Sequence, residues 1–238
     1  MDGLAPEVKL VATTAYVMAV VCTPPEAVPA FAVHAAVAIA ALLLARIPAR
    51  TLMRRLRIEI PFVAFAALLP VMGAAPRIDV GPLSLSQAGL WAMWGIVVKA
   101  TLGLAASVVL IATTSPSQIL EGCSRLRLPP TLVAIAGFMV RYGSIIGDEA
   151  DRMAVARRAR GDESRWFWQM RGAAAVGGAL VVRSYERGER VHRAMLARGY
   201  DGTMPPAERA RPNGRECGVA LVLPFVSCVT ALIAIVAP

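Results

Sequence analysis

Five runs of apolar residues, at roughly 10–22, 27–46, 59–74, 93–113 and 217–237, set the limits on what this chain can fold into. A helix needs about 20 mostly apolar residues to cross the hydrocarbon of a bilayer. Four of the runs meet or approach that length, and the first needs its flanks. Hydrophobic residues make up 57% of the 238, against roughly 45–50% in a soluble domain, and the excess sits in these runs. The sequence therefore predicts an all-α, polytopic membrane protein with about five transmembrane helices.

Charge orients the spans, because connections rich in Lys and Arg stay on the cytoplasmic side. Residues 23–26 (Thr-Pro-Pro-Glu) carry no cation and belong outside, whereas 47–58 hold Arg50, Arg54, Arg55 and Arg57 and belong inside. In the connection 75–92 Arg77 is balanced by Asp79, and Trp91 with Trp94 suits the far interface. Residues 114–129, with Arg125 and Arg127, return inside. The first four spans alternate cleanly with the N-terminus inside.

A parity argument then fixes the rest. Residues 148–215 hold 14 of the 25 basic residues against 9 acidic ones, so this stretch is expected in the cytoplasm. A crossing by the sixth, weaker run at 130–147 would put it outside. That run contains Arg141, Gly137 and Gly143, and it is expected to lie along or dip into the cytoplasmic side; the alternative is an out-and-back pair with the short run 173–182, which at ten residues is too short to span as a helix. The expected organisation is a four-span region (1–113), a cytoplasmic coupling region (114–216) and a last span (217–238).

Two helix ends in the insert are alike. The apolar residues Ile145, Ile146, Ala150, Met153, Ala154 and Ala156 predict one stripe of a helix that stops at Ala159-Arg160-Gly161. A second helix, about 180–198, stops at Ala197-Arg198-Gly199. Glycine suits the left-handed residue after a helix end, and arginine in the last turn suits the helix dipole. A single copy reads as a good helix stop. Two copies, each followed by acids (Asp162-Glu163; Tyr200-Asp201), would present two guanidiniums at exposed tips. These suit carboxylates on a partner, because Arg forms bidentate pairs that Lys cannot.

The segments ARRARG (156–161) and AMLARGYDG (194–202) resemble the paired Ala-Arg-Gly signatures of the T component of energy-coupling-factor (ECF) transporters, closest to the cobalt-uptake branch. Residues 112–142, with Thr-Thr and Pro, then Leu-Pro, then Arg-Tyr, resemble that family's approach to its coupling region. The resemblance implies a transmembrane scaffold that holds a small substrate-binding membrane subunit and docks on two ABC-type ATPase subunits. It implies that Arg160 and Arg198 make the docking contacts, with Ala159, Gly161, Ala197 and Gly199 shaping the tips, and that the chain sits in the inner membrane. It implies uptake of a micronutrient, cobalt ion first, with no cofactor in this chain.

Other classes find less support. There is no phosphate loop for ATP hydrolysis, and no nucleic-acid motif accompanies the net charge of +9. Glu26, Glu59 and Asp79 stand singly at span edges, so a membrane enzyme lacks the clustered acids or nucleophile–base pair it needs. A stand-alone secondary transporter would want polar groups at the midplane of matched halves. Cys22, Cys123, Cys217 and Cys228 form no CxxC and read as small apolar residues. The N-terminus MDGLAPEVKL does not resemble a cleaved signal, so the first run is expected to remain a span. Lys99 lies inside an apolar run and is either functional or snorkels toward Trp94. His34 is expected to be hydrogen-bonded within the bundle, and His192 to be a surface or packing residue. Trp166, Phe167 and Trp168 could anchor to the bilayer or pack between helices. Gly172–Gly178 could be a close helix approach, a hinge or a connector.

Overall fold

The computed structural model describes residues 4–73, 76–80, 83–161, 170–202 and 214–236. The elements are α1 (Pro6–Cys22), α2 (Val28–Leu44), α3 (Ala49–Leu56), a 3-10 turn (Arg57–Glu59), α4 (Ile60–Ala66), α5 (Leu69–Met72), β1 (Arg77–Val80), β2 (Leu83–Ser86), α6 (Gln87–Thr113), α7 (Pro116–Arg125), α8 (Pro130–Ala159), α9 (Met170–Leu196) and α10 (Gly214–Val236). The fold is all-α apart from one small hairpin. The chain forms two compact units that divide at Gly122 and Cys123 within α7: one holds α1–α6 and α10, the other α8 and α9.

The first unit is a bundle of α1, α2, α6 and α10. Its core is Tyr16, Val20, Phe31, Val37, Ala38, Leu102 and Ala105. Alanines at 19, 30, 38, 105 and 231 are all buried, and small side chains let helices in lipid come close. His34 is fully buried and keeps its place by hydrogen bonding. The Thr23 hydroxyl donates to the Ala19 carbonyl at 2.8 Å, so its oxygen is left to accept from His34 Nε2 at 3.1 Å. The Tyr16 hydroxyl donates to the His34 carbonyl at 2.9 Å. The expected bundle histidine is therefore what the geometry shows.

Lys99 has a different role from either expectation. Its ammonium donates to the Val21 carbonyl at 2.8 Å, in the last turn of α1. Lys9 does the converse, donating at 2.8 Å to the Thr113 carbonyl that ends α6. The last four carbonyls of a helix have no partner within it, and a cation there also meets the negative end of the dipole. The only two lysines thus cap each other's helices, which fixes α1 and α6 as antiparallel neighbours.

The third apolar run is broken. Proline lacks an N–H, and its ring clashes with the carbonyl four residues back. Pro61 disturbs the turn at Arg57, where α3 gives way to the 3-10 turn, and Pro70 ends α4 at Ala66. Bonds such as Ala67 N to the Val63 carbonyl, 2.9 Å, and Leu68 N to the Phe65 carbonyl, 3.1 Å, carry the path on with kinks. The connection 75–92 holds the antiparallel hairpin β1–β2, pairing Arg77 with Ser86 through Val80 with Leu83. Ser86 then caps α6, its Oγ accepting from Gly89 N at 3.2 Å. Gly89 lies so close to α5 that a β-carbon there would stand 2.4 Å from the Leu69 carbonyl oxygen.

α7 begins as a capping box. The Ser115 N–H donates to Gln118 Oε1 at 2.9 Å, Gln118 N–H returns to Ser115 Oγ at 3.4 Å, and Pro116 takes the first turn. Among the described residues, α6 and α8 are long and apolar enough to cross a membrane by length and composition, and Val28–Leu44 and Leu221–Val236 are shorter apolar helices. Run 130–147 is the first half of α8, continuous with the polar second half.

Candidate functional site: two arginine-capped helix tips

The second unit is a pair of long helices. At about 1.5 Å per residue, the 30 residues of α8 and 27 of α9 reach roughly 45 and 40 Å. α9 starts at Met170 rather than near 180, because Gly172–Gly178 is itself helical. Among the described residues, Gly177 and Gly178 have open space where a β-carbon would go, and the run is helical rather than a loop connector.

The stripe on α8 differs from expectation. The less exposed positions are Tyr142, Ile145, Glu149, Ala150, Met153 and Arg157, while Ile146, Ala154 and Ala156 are exposed. A polar residue, Glu149, occupies the centre of the stripe. Its carboxylate pairs with Arg152 one turn on, at 2.7 Å, and with Arg183 of α9. The hydrogen bond from Arg152, aided by that from Arg183, holds the Glu149 carboxyl below the usual carboxylate range.

That shift has a sign. A depressed folded-state pKa gives a contribution fully present above the ordinary Glu value of about 4.3 and lost as pH falls through the lower folded value. Spin labels placed on α8 and α9 at Ile146→Cys and Arg187→Cys are expected to hold one distance from about pH 7 down to about pH 5. The distribution should broaden in stronger acid. Glu149→Gln should broaden it already at neutral pH and remove the acid dependence. An unchanged distribution in the Gln variant would show that the pair does not tie the helices. The groups are solvent-exposed, so the effect is small in energy.

Both helices end in the same geometry. At α9, Gly199 has φ +83°, its N–H donates to the Leu196 carbonyl at 3.0 Å, and Tyr200 N–H donates to the Met195 carbonyl at 3.0 Å. This is the Schellman pattern of crossed terminal bonds, with Arg198 as the cap residue. At α8, Gly161 has φ +81° and its N–H donates to the Arg158 carbonyl at 3.0 Å, with Arg160 in the same cap position. The conformation at each glycine is the left-handed one that L side chains resist. Ala159, Arg160, Gly161, Ala197, Arg198 and Gly199 are all exposed.

Arg160 and Arg198 have no ion-pair or side-chain hydrogen-bond partner among the described residues. Elsewhere on α9, Arg183, Arg190 and Arg193 are engaged, as in Arg193 with Glu189 at 2.6 Å and Arg190 with Glu186 at 3.9 Å, whereas Arg187 is not among the described residues' pairs. Next to the tips stand two exposed aliphatic residues, Val155 and Leu196. Sequence reading had not singled them out; their signal is an apolar residue off the shielded stripe of an otherwise polar helix. Each tip thus combines an unpaired planar cation with apolar surface. His192 is exposed. Trp166, Phe167 and Trp168 lie outside the described residues.

Comparisons with known proteins identify the family. The CbiQ family, described as cobalt transport protein, matches residues 2–208. The chain is 31% identical over 183 residues to the cobalt transport protein CbiQ of Rhodobacter capsulatus, covering 74% of each chain. It is 29% identical over 152 residues to an energy-coupling factor transporter transmembrane protein, EcfT 1, of Listeria monocytogenes, covering 59% of this chain and 57% of that one. An EcfT of Streptococcus thermophilus is 26% identical over 136 residues, 52% of each. With a family match over most of its length and an all-α membrane fold, the chain belongs to the CbiQ family of cobalt transport proteins, within the transmembrane components of energy-coupling-factor transporters.

Proposed function

We propose that the chain is the scaffold of an ECF-type importer that couples two ABC-type ATPase subunits to a small substrate-binding membrane subunit, with cobalt ion as the cargo. The observation that carries this reading is the repetition of one tip geometry, an exposed arginine capping a long helix before a left-handed glycine, on two helices joined by one ion-paired glutamate. Arg160 and Arg198 would each enter a groove on an ATPase and meet carboxylates there, with Val155 and Leu196 covering the groove walls. The pair Glu149–Arg183 lies eleven residues from Arg160 and fifteen from Arg198, so the tips stand on arms of about 16 and 22 Å. Closing of the ATPases would swing these arms, and the exposed apolar face of α8, including Leu132, Ile135 and Met139, would carry the movement to the substrate-binding subunit or the lipid around it. The coupling region and N-terminus would face the cytoplasm, as the charge bias requires.

The reading is tested by purifying the tagged full-length chain from its own cells' membranes in mild detergent. Two ABC ATPase subunits and one small membrane protein are expected to co-purify, and the intact complex should support uptake of radioactive cobalt. A chain that purifies without ATPases from membranes that contain them would end the proposal. Uptake of nickel or a vitamin in place of cobalt would keep the scaffold and change the cargo.

A further inference from the structure

The bundle carries a second arginine cluster that the coupling reading does not use. α3 follows α2 after a short turn and has two faces. Leu52 packs on the bundle core, while Arg50, Arg54 and Arg57, at i, i+4 and i+7, fall on the opposite side and are exposed. Together with Met53 they line a recess of about 370 Å³. Among the described residues, none of the three has an ion pair or a side-chain hydrogen bond. Three like charges held on one face without a counter-ion repel one another, so the arrangement favours an anion between them.

The end of α2 adds a fourth cation to this neighbourhood in sequence. Arg46 has φ +51° and takes the left-handed position after the helix, its N–H donating to the Leu43 carbonyl at 3.0 Å and Ile47 N–H to the Leu42 carbonyl at 3.2 Å. Glycine adopts that backbone freely, yet an exposed arginine stands there.

We infer that the recess of Arg50, Met53, Arg54 and Arg57 binds the phosphodiester headgroup of an anionic phospholipid. Guanidiniums pair with phosphate oxygens in two-pronged fashion, and basic clusters beside a membrane helix attract anionic lipid. Lipid is favoured over an acidic protein groove by what borders the cations. Met53 lines the recess itself, and Leu43, Leu44, Ile58, Ile60 and Phe62 are exposed just before and after α3. Charge and bare apolar surface therefore meet at one helix, as they do at a headgroup with its chains.

The test uses the full chain in nanodiscs of phosphatidylcholine with one fifth phosphatidylglycerol. Lipids retained after partial delipidation are counted by native mass spectrometry. Wild type is expected to retain phosphatidylglycerol well above its share. Arg50→Gln with Arg54→Gln should lower that preference about tenfold or more, at about fivefold per guanidinium, and 0.5 M salt should weaken it. Arg187→Gln with Arg190→Gln, both in α9, is the charge-matched control. If the double variant fails to insert, Arg54→Gln alone is read the same way, with about a fivefold fall expected. An undiminished preference in the α3 variant, or an equal fall in the control, overturns the inference. So does thermal stabilisation of the detergent-purified chain by inorganic phosphate as large as that given by phosphatidylglycerol, which would mark a free-anion site. No partner subunit or transport enters this measurement, so its outcome is independent of the coupling proposal.

Discussion

Uptake by the complex carrying both Arg160→Ala and Arg198→Ala is expected to fall to background while the chain still reaches the membrane in normal amount. Truncating one member of a charge pair in an interface costs roughly 2–5 kcal/mol, much of it from leaving the partner charge stranded. Two such losses would separate the scaffold from the ATPases or let them turn over without transport. Either single change should be milder than the double, and Lys at either position should rescue only in part, since it keeps the charge and loses the planar fork. The fold should be indifferent, because both side chains are exposed and unpaired within the described chain. If the arginines serve only as helix caps, the pattern inverts. The left-handed backbone belongs to Gly161 and Gly199, so damage would follow Gly→Ala, at roughly 1–2 kcal/mol each, with Arg→Ala nearly silent. Wild-type uptake by the double variant, at matched expression, would remove these residues from the coupling step.

The second large effect is expected at Gly89. A β-carbon there would stand 2.4 Å from the Leu69 carbonyl oxygen and 2.8 Å from the Pro70 α-carbon. Both are backbone, so no side chain can turn aside. Overpacking of this kind costs about 1–3 kcal/mol, occasionally more, and Gly89→Val should exceed Gly89→Ala. Gly103, on the same helix, has nothing within 4 Å of a β-carbon, and Gly103→Ala should gain up to about 1 kcal/mol of helix propensity. Thermal unfolding of the detergent-purified variants decides the matter: a sharp loss at position 89 beside none at 103 is the expected result. Equal behaviour of the two would mean that α5 and α6 do not meet as described.

The contrast between these glycines shows where sequence reading stops. Both sit in α6, and glycine alone does not distinguish them; only the position of α5, set by the breaks at Pro61 and Pro70, gives Gly89 its neighbour. The prolines were visible, but a hydropathy window passes over them, so 59–74 reads as one smooth span. The hairpin at 77–86 is too short to announce itself between spans. By contrast, the two Ala-Arg-Gly ends were legible to the residue, because glycine's left-handed backbone is a local property. The stripe on α8 was legible only in part. Counting apolar residues placed Ile146, Ala154 and Ala156 on the less exposed face, whereas that face includes Glu149, whose carboxylate pairs with Arg152 and Arg183.

The exchange of lysines between α1 and α6 bears on how such a scaffold can move. Mid-helix carbonyls already accept bonds from their own helix, so each ammonium finds a free acceptor only at the other helix's end. Slip α1 along α6 by one turn, about 5.4 Å, and both ammoniums would either face carbonyls already in use or pass beyond the helix ends. The pair therefore has a single register, like a bolt with one keyway. Within this bundle, bending is therefore expected where the backbone is already interrupted, along the kinked path from Arg57 to Met72, rather than by slip between α1 and α6. In this molecule the joints are written in proline and the struts are locked by lysine.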